Sequence, residues 1–122
     1  MVIIHSTYPV RAEKKQYAQE IMVHMTNAAL RSEECISYEF FLSLDQTEKI
    51  VLIQEWRSIE ALEKYCNTPT MQLLAKELPE VLAGQVKTKA FTKNNAQELT
   101  QPQTLYVNEA IHERYDGNRT IH

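Results

Sequence analysis

The chain has 122 residues, 43% hydrophobic and 24% charged, with 13 basic and 16 acidic side chains and a net charge of -3. That is the size of one domain able to bury a stable core without covalent staples, and it lacks the positive excess that binding to phosphate backbones requires. The only glycines, Gly84 and Gly117, and the only cysteines, Cys35 and Cys66, exclude glycine-rich nucleotide loops, a disulfide scaffold and a paired Cys/His zinc site.

The first residues, MVIIHSTYPVRAEKK, place positive charge after a short apolar run. This is the reverse of a secretory signal, and no apolar stretch is long enough to span a bilayer, so the expectation is a cytoplasmic protein with no membrane partner. Within that segment Val2, Ile4, Ser6, Tyr8 and Val10 alternate as one face of a strand, which Pro9 closes. From Arg11 to about Ser32 the period changes. Ala18, Ile21, Met22, Met25 and Ala29 recur at three and four, predicting a helix with one apolar stripe.

ISYEFFLSL, residues 36 to 44, alternates again and assigns Ile36, Tyr38, Phe40, Leu42 and Leu44 to an inner face. The polar run DQTEK then predicts a hairpin into the strand KIVLIQEW, residues 49 to 56. Ser58 is placed to cap a helix from Ile59, with Leu62, Tyr65 and Cys66 on its inner side. Asn67, Thr68 and Pro69 break it, and Met71, Leu73, Leu74 and Leu78 mark a second helical piece before Pro79. QVKTKAFT, residues 85 to 92, reads as the last strand with Val86, Thr88 and Ala90 on one side.

The predicted order βαββαβ is the split βαβ arrangement: an α+β, ferredoxin-like fold with helices on one face of an antiparallel sheet. The opposite face would carry Phe41, Val51, Ile53 and Phe91. So apolar a stripe predicts a homodimer packed sheet against sheet, a dimeric α/β barrel, with cover of some of these residues by the chain's own carboxyl tail as the alternative. Residues 1–93 are thus expected to form the domain. Residues 94–122, polar at first, form an extension that docks through Leu105, Tyr106, Val107 and Ile111 or stays disordered at its end.

The block from Glu34 to Phe91 resembles the antibiotic-biosynthesis-monooxygenase domain family, especially small quinol-monooxygenase-like proteins. The likeness lies in C-x-S-Y-E, the hairpin Asp, the strand-ending Trp56, the S-x-E-A-L helix start, the T-P break and L-P-E-V-L-A-G. The family contains cofactor-independent oxygenases of phenols and hydroquinones, haem-degrading enzymes, an isomerase of a signalling sugar and members without a known substrate. The fold alone does not choose among them.

The resemblance implies a pocket between sheet and helices beside Trp56, whose indole N–H would serve as a donor to a carbonyl or phenolate oxygen. The alternative is that Trp56 is a large core residue at a strand end. Tyr65 and Thr70 stand where many such relatives have His, so Tyr65 is a candidate for orienting a substrate oxygen, with plain helix packing as the alternative. Of the imidazoles, His24 borders the helical stripe and is the candidate base, and His5 lies on the first strand; either could also be a boundary residue. Ser6 and Tyr38, with Leu52, Leu62 and Met71, are the candidate substrate-binding residues.

Haem-degrading relatives carry Asn, Trp and His at positions that read here Ser6, Trp56 and Cys66. A cysteine ligates haem iron only as thiolate, and no nearby cation favours that form, so haem degradation is disfavoured. The expectation is a monooxygenase that needs no cofactor or metal and takes a small aromatic substrate and dioxygen. An isomerase of a small carbonyl compound and a non-catalytic ligand-binding or stress-response module remain as alternatives.

Overall fold

The computed structural model describes residues 1–46 and 48–92. The expected extension, residues 94–122 with Leu105, Tyr106, Val107 and Ile111, lies outside them. Strands β1 (Val2–Pro9), β2 (Cys35–Leu42), β3 (Lys49–Trp56) and β4 (Lys87–Thr92) form a four-stranded sheet in the order β2-β3-β1-β4. Every neighbouring pair is antiparallel. Helix α1 (Lys15–Leu30) carries the chain from β1 to β2, leaving the slot between them for β3; α2 (Ile59–Cys66) and α3 (Pro69–Glu77) carry it from β3 to β4. This is the ferredoxin-like α+β fold. Among the described residues no helix is long and apolar enough to cross a membrane.

The strand alternation holds where one face meets the helices. Val2, Ile4, Ser6, Tyr8 and Val10 are all buried, as are Ile50, Leu52, Gln54 and Trp56 on β3. They join the α1 stripe of Ala18, Ile21, Met22, Met25 and Ala29 and the inner residues Leu62, Tyr65 and Met71 in one core. Helix α1 starts later than its sequence pattern predicts, because residues Ala12–Lys14 form a separate tight turn. Both later helices are capped by hydroxyls. Ser58 accepts from the Ala61 N–H at 3.1 Å, and Thr68 from the Met71 N–H at 3.3 Å, with Pro69 at the first turn of α3.

Three expectations about side-chain direction need correction. A register shift between Cys35 and Ser37 leaves Ile36 unpaired and half in solvent. Such a bulge adds one residue, so the inward alternation breaks there. Leu42 is exposed at the strand end and Leu44 lies fully in solvent beyond it. Leu73 points outward from α3, whose inner residues are Met71, Leu74 and Ala75.

The face away from the helices carries Glu39, Ile53, His5 and Lys89 in one cross-strand row, and Phe41, Val51, Thr7 and Lys87 in the next. Glu55, Ile3 and Phe91 follow. Its centre is apolar and its edges are charged.

Candidate functional site

Trp56 ends β3, with Val2 and Cys35 as its cross-strand partners. Its ring is completely buried and its indole N–H donates to Oε1 of Gln54 at 2.7 Å. Indole nitrogen is a donor only, so it fixes the carboxamide: the oxygen faces Trp56 and Nε2 turns away. Helix α2 brings Tyr65 alongside, its ring 5.0 Å from that of Trp56 and tilted by 34°. Tyr38 on β2 meets Tyr65 edge-on at 5.7 Å, and Phe40 meets Tyr38 at 5.9 Å. Four aromatic side chains therefore run from the buried end of β3 to the β2 edge.

The hydroxyls in this run can be assigned donor by donor. Tyr65 donates to the Met25 carbonyl of α1 at 3.1 Å, which uses its only proton. Tyr38 therefore donates to the Tyr65 oxygen across their 2.8 Å contact. Burial, then the neighbouring Tyr65, pushes the Tyr38 phenol well above the ordinary value of 10.0. Burial likewise raises Tyr65 well above 10.0, with the bond received from Tyr38 working the other way. Both are neutral phenols at neutral pH, so neither can accept a substrate proton there.

Between α1 and the edge strand β2 lies a groove of about 480 Å³. Met22, Tyr38, Phe40 and Ile50 form its apolar floor, and Val23, Phe41 and Leu42 form a partly exposed rim. Gln19, Thr26 and Glu39 supply its polar groups. The Thr26 hydroxyl donates to the Met22 carbonyl at 2.9 Å, leaving its oxygen as an acceptor. Two other depressions are more polar. One of about 540 Å³ includes Arg31, Lys64, Tyr65 and Thr70, and one of about 760 Å³ on the opposite sheet face includes His5, Lys49, Lys87 and Lys89.

The structure brings Trp56, Tyr65 and Tyr38 together, and of these Tyr38 lines the groove. Leu52, Leu62 and Met71 are packed within the core. The Ser6 hydroxyl lies 3.1 Å from that of Thr88, where β1 meets β4. His24 is exposed. At about 100° per residue it stands roughly 150° around α1 from the groove-lining Gln19, Met22, Val23 and Thr26. It is therefore not brought together with Trp56 and Tyr65. His5 lies on the sheet face away from the helices.

Sequence reasoning missed the α1 wall of the groove and the buried Gln54. An amide at the third position of the apolar series Ile50, Leu52, Gln54, Trp56 was the available signal, because a polar group on a core face needs a partner. Among the described residues no group of three or more His, Cys, Asp or Glu side chains could hold a metal ion. Cys66 is buried, and burial pushes the half-buried Cys35 thiol upward.

Comparison with solved structures confirms the fold. A conserved protein from Methanosarcina mazei Go1 superposes with a TM-score of 0.72 at 19% identity, covering 76% of this chain and 92% of that one. A Mycobacterium tuberculosis protein gives 0.71 at 19% identity, covering 77% and 95%. A protein described as an antibiotic biosynthesis monooxygenase gives 0.72 at 15% identity, covering 78% and 100%. No curated protein matches the sequence. Residues 1–77 match the sequence profile named antibiotic biosynthesis monooxygenase, and on that match the chain belongs to the antibiotic biosynthesis monooxygenase family.

Proposed function

We propose that this protein is an oxidoreductase that adds one atom of dioxygen to a small phenol- or quinol-type aromatic without a cofactor, using the α1/β2 groove. The observation that carries this reading is the groove itself: an apolar recess of about 480 Å³ whose floor, at Tyr38, continues into a buried aromatic cluster. Such an apolar lining favours a flat aromatic ring. Family membership supports oxygen chemistry, and low-identity neighbours add support for the fold alone.

For 1,4-hydroquinone the reaction balances as quinol plus dioxygen giving 2-hydroxy-1,4-benzoquinone plus water. The substrate supplies all four electrons; one oxygen atom enters the ring and the other leaves as water. Tyr38 and Tyr65 stay protonated, and His24 faces away, so the substrate's phenolic proton leaves to solvent through the open rim. The protein's contribution is to hold the electron-rich ring in an apolar wall where dioxygen meets it.

The same reading makes the protein a cytoplasmic homodimer. Phe41, Val51, Ile53 and Phe91 lie on the face away from the helices, with Phe41 48% and Ile53 38% exposed in the single chain. Sheet-to-sheet packing about a two-fold axis would cover them. Oxygen uptake with a panel of hydroquinones, free of added flavin or metal, tests the activity. The expected result is consumption faster than spontaneous autoxidation, with hydroxyquinone as product. Uptake equal to autoxidation overturns the oxygenase reading, and a raised melting temperature with the same compounds would then mark a binding module.

A further inference from the structure

We infer that two copies of this chain pack their open sheet faces with the two-fold axis running along the strands, so that β2 of each faces β4 of the other and Glu39 pairs with the partner's Lys89. This rests on the sheet-to-sheet homodimer proposed above and fixes how that dimer is seated. The open face is polarised. Its β2 and β3 half carries Glu39 and Glu55, and its β1 and β4 half carries His5, Lys87 and Lys89, around the apolar Phe41, Val51 and Ile53. Lys49 stands beyond these rows, at the start of β3 opposite Pro9. Glu39, Lys87 and Lys89 are exposed. Glu39 and Lys89 end the same cross-strand row, three strand spacings or about 14 Å apart within one sheet.

Two sheets packed face to face with aligned strands leave two choices of two-fold axis. An axis across the strands sets β2 on β2 and β4 on β4, and so brings the β4 lysines of one copy onto those of the other, where like charges repel. An axis along the strands reverses the strand order of the facing sheet. Glu39 then meets the partner's Lys89, and Phe41 meets the partner's Lys87. The shapes agree with the charges. Phe41 is 48% exposed on β2, whereas Thr7, Lys87 and Lys89 line a depression of about 760 Å³. The ring of one copy seats in the depression of the other, against the Lys87 ammonium. Because Glu39 and Phe41 also line the α1/β2 groove, this seating sets the partner's β4 beside the groove rim.

The test measures dimer dissociation constants by sedimentation equilibrium for Glu39→Lys, Lys89→Glu, an equal mixture of the two and the double variant, with far-ultraviolet dichroism as the check on folding. Each single variant opposes like charges at both symmetry-related contacts and is expected to weaken the dimer by about tenfold or more. In the mixture, a heterodimer joins opposite charges at both contacts again, and in the double variant the homodimer does so. Both are expected to return to within about threefold of the wild type. Should a reversal not fold, Glu39→Gln and Lys89→Gln, which remove charge without reversing it, are expected to weaken the dimer by about threefold each. Folded single variants that dimerise as tightly as the wild type, or a mixture no tighter than its components, overturn this seating alone, since loss of the dimer in Ile53→Glu would still show the sheet face in use. A wild type that stays monomeric at high concentration overturns the dimer itself.

Discussion

The direction of one proton separates two tyrosines that otherwise look alike. Tyr65→Phe removes the only acceptor of the Tyr38 proton and is expected to cost about 1–3 kcal/mol, because a buried O–H is left unsatisfied. Tyr38→Phe leaves Tyr65 bonded to the Met25 carbonyl and is expected to cost about 0.5–1.5 kcal/mol. Urea denaturation of both variants checks the order; equal costs, or Tyr38→Phe costing more, would contradict this donor assignment. Because both phenols are raised above 10.0 by burial, the native state keeps protons that the unfolded chain releases above that pH. Their contribution is intact below pH 10.0 and is lost as pH rises, by up to about 1.4 kcal/mol per pH unit for each group. The double Phe variant should show a shallower alkaline fall in urea midpoint than the wild type. The same neutrality shapes the rate. With His24 outside the groove, kcat/KM should rise about tenfold per pH unit up to the substrate's own phenol pKa, and a plateau beginning near 6.5, the ordinary imidazole range, would reveal a base that this account lacks.

At the scale of elements, the caps and the bulge give opposite lessons. Ser58 was legible as a cap because a hydroxyl preceded an apolar helical pattern, and Ser58→Ala should cost about 1 kcal/mol. Thr68→Ala should cost more, since Thr68 also donates to the Tyr65 carbonyl at 2.8 Å and so ties the end of α2 to the start of α3. The β2 bulge was not legible: Ile36 continues the alternation in sequence, and only the pairing with β3 decides which residue is skipped. Ile36→Ser should therefore stay within about 0.5 kcal/mol of wild type, whereas Leu52→Ala, wholly buried, should cost about 2–5 kcal/mol. His24 shows a related limit. It neighbours the apolar Met25 in sequence, yet one residue turns a helix by about 100°, enough to carry its ring to solvent.

For the whole molecule, the βαββαβ order was legible because each change of hydrophobic period coincides with a change of element. The groove was not, since its walls come from α1 and β2, two elements whose separation depends on how the helices settle over the sheet. The open sheet face makes its own prediction. Ile53→Glu, placed between His5 and Glu39 in the cross-strand row, should convert a dimer to a monomer in sedimentation velocity without changing far-ultraviolet dichroism. A wild type that sediments as a monomer at high concentration would contradict the proposed pairing. If a small aromatic reacts in the α1/β2 groove, Val23, 56% exposed on its rim, gives direct access to the reaction. The decisive measurement is oxygen uptake with 1,4-hydroquinone by wild type and Val23→Trp. Catalysed uptake is expected in the wild type and should fall to the autoxidation rate when the indole fills the groove, at unchanged stability; equal catalysed rates in both proteins would place the reaction elsewhere.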